Sequence, residues 1–294
     1  MSIEIGNTPE SWGVLPSEPG HFPWNRFLDE VTEAGYSWIE LGPYGYLPTN
    51  PNSLRNELDK RGLKMAAATF MTPPLDDPNS WPELKQLIVK MGELLGPIGA
   101  GYLNIVDAIH PPGSSAHQDL DGQNNSKWKR LVENTHKAAD LASDLFGLQL
   151  TLHPHGDTNI GNEEQIETFL DQTDPARVSL CLDTGHHAYC NGDPIDFMRK
   201  HHKRIPFLHL KSVDGNVIKR VYSENLTIGT AVQNGVFCEP DKGSLDFKGF
   251  ANVLKDVGFS GIAIVEQDLI RPPSNVPLPL AKRTLAYFKA AGIV

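Results

Sequence analysis

The chain has 294 residues, and its 26 Lys plus Arg stand against 36 Asp plus Glu, a formal net charge of −10 with histidine neutral. That balance argues against a nucleic acid or an anionic membrane as the main partner, since both are held by basic patches. No apolar run approaches the roughly 20 residues of a membrane span, and the N-terminus (Met1, Ser2, Ile3, Glu4) lacks the basic-then-apolar pattern of a secretory signal,.

In chain order, short apolar runs alternate with longer segments of helical spacing, the trace of repeated βα units. Strand-like runs fall at Ile3–Gly6, Trp38–Leu41, Lys64–Thr69, Tyr102–Val106, Leu148–His153, Val178–Asp183, Pro206–Leu210 and Ile262–Glu266. Helical spacing marks Trp24–Ala34, Trp81–Leu95, Trp128–Leu145, Glu164–Gln172, Phe247–Val257 and Ala281–Ala291,. Gly35, Gly62, Gly147 and Gly258 each end a helical pattern before a strand, where a left-handed terminus suits glycine. Eight strands with intervening helices predict an α/β fold, a single (β/α)8 TIM barrel forming one domain over residues 1–294. The rival is a doubly wound open sheet, but the chain has neither a GxGxxG nor a GxxxxGKS/T phosphate turn.

Thr72–Ser80, His110–Asn125 and Lys211–Leu245 read as long loops at the C-terminal ends of strands, the face where barrel enzymes keep their sites. The residues at the strand ends form a polar series. Glu40 ends the second run (WIELG), and Asn104 and Asp107 end the fourth (YLNIVD). His153 and His155 end the fifth (LTLHPHGDT), Asp183 and His186 the sixth (CLDTGHHAY), His209 and Lys211 the seventh, and Glu266 and Asp268 the eighth.

A lone histidine or aspartate in such a place is usually a structural hydrogen-bonding residue or a cap. Four consecutive strands ending in His, Asp, His and Glu would instead bring two imidazoles and two carboxylates together, and a divalent cation resolves the repulsion between the carboxylates. The expected metal ligands are His153, Asp183, His209 and Glu266. His155 has the same strand parity as His153 and is the alternative first ligand. Imidazole plus carboxylate suits Mn²⁺ or Co²⁺ best, with Mg²⁺, Fe²⁺ or Zn²⁺ possible.

The other candidates have plainer readings. His201 and His202 sit in a solvated helix end, and His110 and His117 read as exposed loop residues. Trp24, Trp81 and Trp128 seat helices, while Trp12, just past the first strand, could wall a pocket. The three cysteines, Cys181, Cys190 and Cys238, fit no CxxC or zinc-knuckle spacing,. They read as reduced packing thiols of a cytoplasmic protein, although Cys181 lies close enough to Asp183 to be sensitive to oxidation.

At these residues the chain resembles the xylose-isomerase-like superfamily of metal-dependent barrels, which holds sugar isomerases, epimerases and endonucleases. The resemblance covers nearly the whole chain, through NTPESWGV, LHPHGDT, CLDTGHHAY and HLKSVDG. The stretch FCEPDKGSLDF to GIAIVEQD is most similar to the inosose (2-keto-myo-inositol) dehydratase branch. The resemblance implies Asp183, His209 and Glu266 as ligands, with His153 in place of the usual glutamate, and His186 as a substrate contact. Losing that glutamate puts simple epimerisation in doubt, because epimerases of this fold use two carboxylates on opposite faces of the substrate.

The implied activity is that of a metal-dependent lyase dehydrating a keto-polyol through an enolate. Glu40, His155, His186, Lys211 and Glu266 are the candidate catalytic residues: a carboxylate base, Glu40 or Glu266, working with a histidine acid. The rivals are a keto-sugar isomerase or epimerase, an enzyme eliminating across 3-oxo-glycosides, and a non-catalytic sugar- or metal-binding barrel. An endonuclease is disfavoured for want of a basic face. The expected partner is a polyol ketone or keto-sugar, with Tyr44, Tyr46, Phe70 and Lys211 setting its identity; the sequence also allows a homo-oligomer.

Overall fold

The computed structural model describes residues 2–15, 22–110 and 126–294. Eight parallel strands, β1 (Ser2–Asn7), β2 (Trp38–Glu40), β3 (Lys64–Met71), β4 (Tyr102–Val106), β5 (Gln149–Leu152), β6 (Val178–Asp183), β7 (Phe207–Leu210) and, after an insertion, β10 (Ser260–Val265), close into a barrel. The order around it is β1-β10-β7-β6-β5-β4-β3-β2. This is the predicted (β/α)8 barrel, with all eight strands where the apolar runs put them. β6 and β7 are buried at every residue, as parallel strands covered on both faces must be,.

Side-chain alternation sorts each strand into two faces. One face, with Ile39, Leu103, Leu180, Leu182 and Leu208, meets the helices in the main core. The other fills the barrel with Cys181, Phe207, Ile262 and Ile264, joined by Ala66 and Ala67 where the register between β2 and β3 shifts. Asp183, His209 and Glu266 share the inward parity of Cys181, Phe207 and Ile264, so they stand at the upper rim of that plug. Gly6 makes room for it: a Cβ there would lie 2.5 Å from Ile264 Cδ1 and 2.6 Å from the Trp38 carbonyl oxygen.

The outer layer holds α1 (Trp24–Ala34), α2 (Pro51–Asp59), α3 (Trp81–Ile98), α4 (Ser126–Phe146), α5 (Glu163–Gln172), α6 (Thr184–Tyr189), α7 (Pro194–His201), α8 (Gly215–Glu224), α9 (Ile228–Gln233), α10 (Phe247–Asp256) and α11 (Pro277–Ala291). Their ends follow from local chemistry. α1 stops at Gly35 with φ 97°, which costs glycine no Cβ clash. α5 starts with a capping box: Asn162 Oδ1 accepts from Gln165 N at 3.0 Å, and Gln165 Oε1 accepts from Asn162 N at 3.1 Å,.

The structure departs from the sequence reading in three places. The connection 211–245 is not an open loop but carries α8, α9 and an antiparallel ribbon of β8 (Ser212–Val213) and β9 (Phe237–Cys238). These pack with Tyr189 around a small core of Val213, Val221, Ile228, Ala231, Val236 and Phe237. Two-residue strands are too short to show a period. Trp12 packs in the main core: it is fully buried, its indole Nε1 donates to Glu30 Oε2 at 2.8 Å, and it sits edge-on to Phe27. His110 is half-buried, with Nε2 2.9 Å from Asn159 Oδ1, whereas His117 lies outside the described residues.

Candidate active site

The strand-end residues meet as their parity requires. One donor atom from each of His153, Asp183, His209 and Glu266 lies within 4.8 Å of the others, and Glu266 alone of the four is not fully buried. The contacts are tight: His209 Nδ1 is 2.8 Å from Glu266 Oε2 and 3.7 Å from Asp183 Oδ2, and His153 Nε2 is 3.4 Å from Asp183 Oδ2. Yet His153 Nδ1, Asp183 Oδ2, His209 Nδ1 and Glu266 Oε2 all lack a partner in hydrogen-bonding geometry. Buried polar atoms are seldom left so. Two imidazoles and two carboxylates crowded into one volume, with Asp183 Oδ2, His209 Nδ1 and Glu266 Oε2 unpartnered and facing one another, are a donor set that fits a divalent cation. His155 is not part of this set. Its Nδ1 lies 2.8 Å from the Gly156 carbonyl oxygen.

The loop geometry behind each donor is specific. Asp183 closes β6 and caps α6, with Oδ1 accepting from Gly185 N at 2.7 Å and His186 N at 2.8 Å, which leaves Oδ2 for the site. Burial alone would raise the Asp183 carboxyl, but the Lys211 ammonium beside it holds it well below its usual value,. Burial likewise opposes ionisation of Glu266, and Lys211 and His209 bring it down to about 2. Both groups are therefore carboxylates at neutral pH.

Glu40 lies below this layer. It is 2% exposed; Oε1 accepts from Asn104 Nδ2 at 2.9 Å and faces His209 Nε2 at 2.9 Å, and Oε2 accepts from Thr69 Oγ1 at 2.9 Å. Thr151 in turn donates to Asn104 Oδ1. This chain of hydrogen bonds runs from β5 across β4 and β2 to β7. Although burial opposes it, the carboxylates around His209 hold its imidazole protonated well above the usual value; with a cation at Nδ1, Glu40 would keep the remaining proton on Nε2,. The structure thus gives both Glu40 oxygens protein partners beneath the donor set and does not bring Glu40 to the open mouth.

Lys211 is a wall of the site and 2% exposed. Its Nζ stands 3.0 Å from Glu266 Oε2, 2.9 Å from Asp268 Oδ2 and 3.5 Å from Asp183 Oδ2, and 4.5 Å from the centre of the Phe237 ring. Burial works against its charge, but the three carboxylates keep the ammonium ionised well above its ordinary range. Gly185 admits it: a Cβ there would meet Lys211 Cγ at 2.6 Å. His155 and His186 lie ring on ring, centroids 3.8 Å apart, with Phe237 edge-on to His186 at 4.7 Å. Burial and neighbouring cations keep both imidazoles neutral, His155 pushed down to about 4 and His186 well below its usual value.

Of the residues expected to set substrate identity, Tyr46 is buried against Phe27 with its hydroxyl unpartnered, and Tyr44 lies under the Lys90 ammonium at 4.0 Å. Phe70 packs half-buried against the main core. Cys181 is fully buried, and burial raises its thiol to about 11. It is therefore a protonated floor residue, not the oxidation-sensitive group the sequence allowed.

One charged group escaped the sequence reading. Glu10 follows β1 in a short 3₁₀ turn (Pro9–Trp12), accepts a hydrogen bond from Thr8 Oγ1, and is half-buried. Burial, then the negative charge of Glu266 and, more weakly, of Glu40, raise its carboxyl to about 8 against the bond from Thr8. Taking the strand-end rule two residues past Thr8, across Pro9, would have found it.

Comparison with known proteins agrees with this picture. An inosose dehydratase of Geobacillus kaustophilus is 30% identical over 292 residues, covering 97% of this chain and 93% of that protein. One from Lacticaseibacillus casei is 28% identical over 296 residues, covering 99% and 97%. A solved structure of the IolI protein with a bound zinc atom superposes with a TM-score of 0.71 at 16% identity, covering 97% of both chains. The family model described as xylose isomerase-like TIM barrel matches residues 28–290, and the chain belongs to that family.

Proposed function

We propose that the protein is a metal-dependent hydro-lyase that removes water from a keto-polyol of the inosose (2-keto-myo-inositol) type. The observation that carries this reading is the donor set of His153, Asp183, His209 and Glu266, one donor atom of each lying within 4.8 Å of the others at the barrel mouth. The near full-length similarity to inosose dehydratases supports the choice of reaction. A divalent cation held there, Mn²⁺ or Co²⁺ by ligand type, would supply Lewis acidity toward the ketone and a neighbouring hydroxyl.

The chain's own residues do the rest. Glu266 is the least buried of the four donors, and the carboxylate oxygen it does not give to the cation takes the proton α to the ketone. Lys211, paired with Asp268 and Glu266, steadies negative charge that builds on the substrate. His155 and His186, neutral and stacked, orient substrate hydroxyls rather than donate protons as imidazolium. Glu40 acts as a positioning residue through His209. Phe237 and the 212–245 segment cover the site and help exclude water. The protein works in the cytoplasm on this reading, as its free thiols suit a reducing compartment,.

The test is elemental analysis of the purified protein, followed by chelation, reloading with each metal, and a screen of 2-keto-inositols and keto-sugars by mass spectrometry. Loss of one water with Mn²⁺ or Co²⁺ restored supports the reading. A change of stereochemistry without water loss replaces it with the epimerase reading. Bound metal without any turnover overturns it.

A further inference from the structure

The short helices of the inserted segment are fastened to the barrel from outside the segment. α9 begins at Ile228. Its own cap, Thr227, accepts from Thr230 N at 3.3 Å, which leaves the first N–H of the helix, that of Ile228, without an intrahelical partner. Asp157 supplies one from the turn after β5: its Oδ2 accepts from Ile228 N at 2.7 Å. Asp157 holds φ 60°, left-handed backbone that aspartate and asparagine adopt more readily than most side chains. Its carbonyl oxygen accepts from His110 N at 2.8 Å, which ties in the connection after β4. Gly156 lets the turn lie against the insert: a Cβ there would be 2.7 Å from Tyr189 Cε1 and 3.3 Å from Ile228 Cδ1.

Both sides of the Asp157–Ile228 bond lead to the site. On the β5 side the same turn sets His155, whose N–H donates to the Ile160 carbonyl oxygen at 3.2 Å and whose carbonyl accepts from Thr158 Oγ1 at 2.9 Å. The His155 ring lies on His186 with centroids 3.8 Å apart. On the insert side α9 runs straight into β9: Val236 N donates to the Ala231 carbonyl oxygen at 3.0 Å, and the Val236 carbonyl accepts from Asp214 N at 2.8 Å. The next residue is Phe237, whose ring centre is 4.7 Å from that of His186 and 4.5 Å from Lys211 Nζ. A second tie, from the Tyr222 hydroxyl to the Tyr189 carbonyl oxygen at 2.6 Å, joins neutral groups; a bond to a carboxylate is roughly twice as strong.

We infer that Asp157 is a positioning residue for substrate binding, a role that rests on the function proposed above for what is bound: by clamping the start of α9 to the turn after β5, it keeps Phe237 over His186 and Lys211. With the clamp gone, α9 and β9 leave the mouth more often and the substrate loses its aromatic wall. The loss falls on binding and not on the chemical step.

The experiment uses the metal-loaded protein and reads two things, amide hydrogen exchange across residues 228–237 and the KM and kcat for 2-keto-myo-inositol. Asp157→Gly keeps the left-handed backbone and removes the acceptor. Its amides should exchange about 10–100-fold faster, the worth of one hydrogen bond to a charged group, and KM should rise by up to about that factor with kcat near wild type. Asp157→Asn, whose Oδ1 accepts the same N–H, should stay close to wild type in both. In a Phe237→Ala background Asp157→Gly should add little to KM, because the two act through one ring. Unchanged exchange, an unmoved KM despite faster exchange, an asparagine variant as impaired as the glycine one, or KM effects that simply multiply would each overturn the assignment. If the wild type turns over no keto-polyol, the proposed function fails instead, and the exchange data still decide whether Asp157 clamps the insert.

Discussion

Replacing Glu40 by glutamine separates a positioning residue from a base. Alanine is too blunt, because Glu40 accepts from Asn104 and Thr69 and faces His209. Leaving three buried groups without that partner costs about 1–3 kcal/mol each, or roughly 3–9 in all, against a total stability of about 5–15. Glutamine fills the same space. Its oxygen in the Oε1 place still accepts from His209 and Asn104, and its amide can donate to Thr69 Oγ1, so geometry survives and only the charge behind the imidazole is lost. Loss of such an outer partner weakens metal binding about 10–100-fold, or about 1.4–2.7 kcal/mol. Titration with a competing chelator should show that weakening for Mn²⁺ or Co²⁺, and kcat should return to near wild type once metal is saturating. An unchanged metal affinity together with a kcat still down 10²-fold or more at saturating metal would mean that Glu40 itself moves a proton, and the reasoning would be refuted.

Other outcomes follow from the same geometry. His209→Ala or Asp183→Ala should abolish both metal retention, read by elemental analysis, and turnover. Gly185→Ala puts a methyl 2.6 Å from Lys211 Cγ; the strain should lower stability by about 1–3 kcal/mol, seen as a lower Tm, and kcat/KM should fall as Lys211 shifts from Glu266. Glu10 should make stability depend on pH. Its folded value of about 8 lies above the ordinary 4.5, so the folded state keeps a proton that the unfolded chain has released; the stabilisation is full at low pH and lost as pH rises through that window. Glu10→Gln should therefore flatten the fall of Tm between about pH 5 and pH 8 and be the more stable protein at the upper end; a parallel curve for the two would count against a raised Glu10.

Much of this was legible before any coordinates because two periods carry it. Apolar runs marked the barrel strands, and residues ending β5, β6, β7 and β10 share the inward parity that brings His153, Asp183, His209 and Glu266 together. Parity is also where the reading ran out. His153 and His155 are two apart and identical by that rule, and only the turn at Gly156 separates them. Glu40 passed for a rim residue because sequence carries no partners: in the barrel both its oxygens are taken up by Asn104, Thr69 and His209. Glu10 escaped because Pro9 breaks the strand pattern just ahead of it. The ribbon and short helices between β7 and α10 are held by contacts among themselves and with Tyr189, and no local period announces that.

That inserted segment bears on how the enzyme can diversify. It folds around apolar residues of its own and sends one aromatic ring, Phe237, to His186 and Lys211. Its core meets the donor scaffold through α6, at Tyr189, Ala188 and Cys190, while β5, β6, β7 and β10 pack in the barrel's own core. Substitutions in residues 212–245 can therefore retune which ketone is accepted while the proton-moving apparatus stays fixed, which makes this stretch the natural place to look for divergence among related chains and to begin redesign.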